Sequence, residues 1–142
     1  MSVPSAHLSW AELACKDTAC TPYPQGYRED GRLDELVTLF EAIRALWGVP
    51  LEVLSAYRTP AHNRSIGGAP QSQHVQGRAL DLRPPGAMTP AAFYEAILAA
   101  QFPMLGGIGR YRTFVHVDVR PIATGGRLAR WNGGAQLKDD RG

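Results

Sequence analysis

Ser72-Gln-His-Val-Gln-Gly-Arg-Ala-Leu-Asp-Leu82 sets His74 and Asp81 seven residues apart, across a glycine, where a loop turns into a strand. Side chains alternate faces along a strand, so Leu80 and Leu82 share one face and Ala79 and Asp81 the other. Gly77 permits a tight bend that brings the His74 imidazole back toward Asp81. A second stretch, Phe114-Val-His-Val-Asp118, has the same logic. Val115, Val117 and Val119 point one way, suited to a core, while Phe114, His116 and Asp118 point the other. Two such strands side by side bury aliphatics on one face of a sheet and offer ligands on the other. His74, Asp81 and His116 are two imidazoles and a carboxylate, a set that zinc accepts while keeping a fourth position for water. That open position separates a catalytic zinc site from a structural one. The H-x6-D spacing by itself is a loose pattern, and a lone histidine is more often a surface or core residue than a ligand.

On the N-terminal side, Leu51-Glu-Val-Leu-Ser-Ala-Tyr57 reads as a further strand, and residues 59–73 as a long loop with at most one helical turn. Loops of that length in a compact domain are usually functional. Leu33, Leu36, Val37, Phe40, Ile43 and Trp47 recur at helical spacing, ended by Gly48. Thr89-Pro90 opens a second helix with an apolar face of Phe93, Ile97 and Leu98. Residues 106–110 read as a short strand, residues 1–28 as an irregular segment over the domain edge, and residues 133–142 as a flexible tail. The pattern predicts one α+β domain over residues 1–142.

Hydrophobic residues make up 44% of the 142, enough for a core, and 20% are charged, which excludes a disordered chain. The net charge of +2 is too small to argue for nucleic acid. No stretch approaches the roughly 18 apolar residues of a membrane span. The N-terminus lacks the charged and apolar regions of a signal peptide. The expected location is therefore the cytoplasm, or the cell wall after release through a phage-type pore, unless the start of the chain has been trimmed. Cys15 and Cys20 are the only cysteines. Free thiols or a local disulfide suit them better than a metal knuckle, since no second Cys or His pair lies nearby.

Taken together, Ser55-Ala-Tyr-Arg-Thr-Pro60, Ser72 to Leu82 and Phe114 to Asp118 resemble the zinc D-Ala-D-Ala carboxypeptidase group, peptidase family M15. The nearest branch is the small type found in bacterial murein endopeptidases and phage lysins. The likeness runs from about Leu8 to Trp131. It implies a small antiparallel sheet with helices packed on one side, like the zinc domain of hedgehog proteins. It also implies a Zn2+ cofactor held by His74, Asp81 and His116, and peptidoglycan stem or cross-link peptides as substrate. The family's substrate-binding arginine falls on Arg58, which would steady the oxyanion or clamp a substrate carboxylate. Ser72 and Tyr57 are further substrate-binding candidates. Many members carry a catalytic Glu or Asp three residues before the last histidine, and here that position is Thr113. Asp118 is the substitute candidate for the base. Its other roles are to orient an imidazole or to replace His116 as ligand.

The expected activity is that of a zinc carboxypeptidase or endopeptidase on peptidoglycan, acting as a monomer without nucleic acid or lipid partners. A non-catalytic, zinc-stabilised wall-binding or phage structural module is the alternative, favoured by Thr113. A cytosolic dipeptidase is the third reading.

Overall fold

A computed structural model describes residues 4–132; the tail expected to be flexible, 133–142, lies outside the described residues. The two stretches that carry the candidate ligands form the centre of a sheet. They are β2 (Ala79–Leu82) and β4 (Val115–Asp118), paired antiparallel with Leu80 opposite Val117 and Asp81 opposite His116. β1 (Val53–Ser55) flanks β2, and β3 (Gly107–Arg110) flanks β4, both antiparallel. A fifth strand, β5 (Ala129–Asn132), adds to β3, giving the order β1-β2-β4-β3-β5.

β5 corrects the expectation of an antiparallel sheet, because it runs parallel to β3. The cause is connectivity. β4 ends at Asp118 beside Gly107, and the chain passes β3 at that same end to resume at Ala129, also beside Gly107. It must then run in the direction of β3. Its sequence, Ala-Arg-Trp-Asn, alternates apolar and polar residues, but over four positions only and after a Gly-rich polar stretch, too short a signal to announce a strand.

The α+β class holds, with the two long helices on one face. α3 (Arg32–Trp47) buries Leu33, Leu36, Leu39, Phe40 and Ile43, and α5 (Pro90–Ala100) buries Phe93 and Ile97. These residues share one core cluster with Leu80, Leu82, Ile108, Val115 and Val117. The aliphatic face of the sheet is thus the core face, and Asp81 and His116 lie on its reverse. α4 (Pro60–Ser65), capped by the Thr59 hydroxyl on the His62 N–H, is the helical turn within the long loop.

The N-terminal segment is less irregular than expected. It holds two short helices, α1 (Trp10–Leu13) and α2 (Gln25–Glu29). Ser9 and Glu12 form a reciprocal capping box, an S-x-x-E signal already legible in the sequence. This segment also anchors the ligand turn. Tyr23 donates its hydroxyl to the Gly77 carbonyl at 2.7 Å, Tyr27 to Val75 at 3.2 Å, and Arg32 donates to Gln76 at 2.7 Å. Gly77 sits at φ +69°, and a Cβ there would lie 2.5 Å from the Tyr27 ring. Gly77→Ala is therefore expected to destabilise the domain by at least about 1 kcal/mol, read as a lower urea midpoint, since a left-handed backbone and a collision act together.

Candidate metal centre

Antiparallel register places Asp81 and His116 side by side on the reverse face of the sheet. The turn at Gly77 returns His74 to the same point. His74 Nε2 lies 3.0 Å from Asp81 Oδ1, and His116 Nδ1 lies 3.2 Å from the same oxygen. One ligand atom from each of the three residues lies within 4.8 Å of the other two. All three residues are buried, with exposures of 0–2%.

The far side of each imidazole is committed. His74 Nδ1 donates to the Ala56 carbonyl at 2.6 Å, and His116 Nε2 donates to Asp118 Oδ2 at 2.8 Å. A carbonyl and an ionised carboxylate only accept, so both far nitrogens carry hydrogen. In the neutral tautomers the inward nitrogens carry lone pairs aimed at the Asp81 carboxylate oxygen, the form in which all three can ligate a cation. Either a proton on an inward nitrogen or a cation satisfies this buried cluster. The donor set fits a divalent ion with open coordination.

Burial lowers the His74 pKa below its usual value despite Asp81. Burial also opposes charge on His116, but hydrogen bonds to Asp118 and Asp81 outweigh it and raise its pKa. Burial opposes ionisation of Asp81 too, yet the His74 and His116 imidazoles hold its carboxyl well below the usual carboxylate range. The carboxylate is thus ionised at neutral pH and ready to ligate.

Arg58 is not laid open to a substrate. It is 1% exposed, and its guanidinium donates to Asp81 Oδ2 at 3.3 Å, Asn63 Oδ1 at 3.1 Å and Ser55 Oγ at 3.2 Å. It fixes the outer oxygen of Asp81 and leaves the inner one to face the imidazoles. Asp118 lies across the His116 ring from the cluster and is fully buried. Both its oxygens are gripped by Arg120, at 2.9 and 2.6 Å. A general base needs an oxygen within reach of the attacking water, and Asp118 presents its nearer oxygen to an imidazole instead. That is the orienting arrangement among the three expected for it. Ser72 is buried, and its hydroxyl accepts the His74 N–H at 3.1 Å, so it shapes the turn. Tyr57 packs edge-on against Tyr23 and Tyr27, with ring centroids 6.2 Å from each. Cys15 and Cys20 are free thiols outside the cluster.

The comparisons with known proteins follow the same lines. The profile of the Peptidase M15 family matches residues 6–118. The chain belongs to the M15 peptidases. It is also 33% identical over 81 residues to a protein of Haemophilus influenzae named as the probable peptidoglycan L,D-endopeptidase MepK. That match covers 52% of this chain and 41% of the relative. The M15 match stops at Asp118, so Arg120 and all of β5 lie beyond it.

Thr113, at the position where many M15 members carry the catalytic carboxylate, lines a cavity of about 260 Å³ with Leu54, Ser55, Asp81, Arg83 and Phe114. The position therefore shares a cavity with Asp81, although its residue cannot take a proton. Sequence reasoning missed Asn63, Arg120 and the Ala56 carbonyl. Arg120 had a signal, being two residues beyond Asp118 and so on the same side of an extended chain. Asn63 and Ala56 had none, since only the tertiary fold brings them to Arg58 and His74.

Proposed function

We propose that this M15 peptidase is zinc-dependent and hydrolyses peptides of bacterial cell-wall peptidoglycan. The observation that carries the metal is the convergence of one buried ligand atom from each of His74, Asp81 and His116, all within 4.8 Å of one another. Family membership and the name of the Haemophilus relative support the substrate.

His74, Asp81 and His116 would hold the ion. When bound, it supplies Lewis acidity toward a peptide carbonyl and lowers the pKa of a water at the open position. Asp81 and Asp118 each already have a guanidinium partner, from Arg58 and Arg120. The site is thus near neutral without the ion, and the ion's charge stays available to the substrate. The cavity beside Asp81 admits the peptide, with the Thr113 hydroxyl as a hydrogen-bonding group at its edge. Arg58 and Asp118 act by holding Asp81 and His116 in place. The place of action on this reading is the cell wall.

Mass spectrometry of a muropeptide digest, with and without chelator, tests the proposal and reports the bond cut. Cleavage that stops on chelation and returns with zinc is expected; cleavage unaffected by thorough chelation would sink the zinc dependence. Asp118→Asn separates the two roles left for that residue. As an orienting group its loss weakens zinc binding by about 10–100-fold. As a base its loss leaves zinc bound and slows turnover by roughly 10²–10⁴. The first result is expected, measured by chelator competition alongside steady-state rates.

Thr113 favours a second reading, a wall-binding module that keeps the ion for stability. No fall in turbidity of purified cell walls at any zinc load, with the fold intact, would support it over the enzyme.

A further inference from the structure

Beyond Asp118 the chain leaves the part matched by the family and builds β5. Trp131 on that strand is in register with Gly109, and Gly109 with His116. One transverse row therefore runs Ser55, Asp81, His116, Gly109, Trp131 across all five strands. A Cβ at position 109 would collide with the indole, at Nε1 and Cε2 first. The missing side chain is the space in which the indole lies. From there the ring reaches His116, with centroids 5.0 Å apart and planes inclined at 52°. Its N–H donates to the Tyr111 hydroxyl at 2.8 Å. The Arg120 guanidinium, which grips Asp118, sits 5.2 Å from its centroid.

We propose that Trp131 is a positioning residue of the metal centre, holding the His116 imidazole so that Nδ1 stays turned toward the ligand cluster. Asp118 fixes that ring at one atom only, Nε2. The Nδ1 contact with Asp81 is longer, at 3.2 Å, and bonds at two edge atoms leave the ring able to rock about the line between them. The neighbour that would block this motion is absent at Gly109, and the indole from the next strand takes its place. It also keeps water off that side of the imidazole, which strengthens the hydrogen bond to Asp118 by lowering the local dielectric. Tyr111 and Arg120 hold the indole in turn.

The inference rests on the metal reading, so its test measures zinc binding directly. The zinc dissociation constant is taken by chelator competition for the parent protein, Trp131→Ala and Trp131→Phe, with the melting temperature of each metal-free protein. Trp131→Ala is expected to bind zinc about 10–100-fold more weakly, in the range of lost outer ligand supports. Trp131→Phe, which restores a flat ring, should recover most of that affinity. If Trp131→Ala fails to fold, Trp131→Leu keeps apolar volume without the ring and gives the same reading. A lower melting temperature with unchanged zinc affinity would make Trp131 a packing residue and overturn the proposal alone. A parent protein that binds no zinc would overturn the metal reading and this proposal together.

Discussion

His74→Ala is expected to abolish measurable zinc binding and to reduce peptide hydrolysis by at least about 10³-fold, since metal assistance is worth several kcal/mol and each 1.36 kcal/mol is tenfold. The size follows from the geometry. His74 brings the lone pair closest to Asp81 Oδ1, at 3.0 Å, and comes from outside the sheet. Without it, only neighbours on two adjacent strands remain, and two ligands do not hold zinc in an open tetrahedral site. The change should leave the fold standing, because the turn keeps its hydrogen bonds from Tyr23, Tyr27 and Arg32 to backbone carbonyls. Circular dichroism and zinc content on the same sample check both halves. Normal zinc content in the folded variant would remove His74 from the ligand set.

Arg58→Ala is expected to cost about 3–5 kcal/mol of metal-free stability, as for a buried ion pair that loses one partner. That corresponds to a melting temperature lower by roughly 10 °C or more. Asp81 is 1% exposed and faces two imidazoles, of which His74 has its pKa lowered by burial. Arg58 and the His116 imidazole, whose pKa its hydrogen bonds raise, thus share the compensation of an ionised Asp81 in the absence of an ion. Zinc should recover part of the loss, since a bound cation takes over compensation of the carboxylate. Arg58→Lys is not a conservative control, because the fork that reaches Ser55, Asn63 and Asp81 together is lost. Urea titrations with and without zinc measure both effects. A loss under about 1 kcal/mol without zinc would mean that the pair contributes no more than a surface salt bridge.

The ligand-bearing strands were legible because two periodicities coincide in them. Leu80 and Leu82, like Val115 and Val117, mark the core face by alternation, and the ligands then fall on the reverse. The main helices were legible for the same reason at a period of 3.6. What alternation does not carry is the rest of the site. Arg58 reads in sequence as a polar residue after a strand, and only burial among Ser55, Asn63 and Asp81 turns it inward. Asp118 shares the strand face of His116, yet which way its carboxylate turns depends on Arg120, two residues further on, whose backbone and guanidinium both hold it. β5 was hidden because its partners are a glycine-containing strand on one side and solvent on the other, so half its residues stay exposed.

The three candidate ligands do not share one fate when the protein breathes. Asp81 and His116 sit on interior strands, the part of a fold that opens last. His74 hangs on a turn pinned by side chains from the first 32 residues, a segment of short helices. Fraying of that segment would let one imidazole swing away while the other two ligands keep their places. Metal exchange would then proceed on the timescale of local opening, far faster than unfolding.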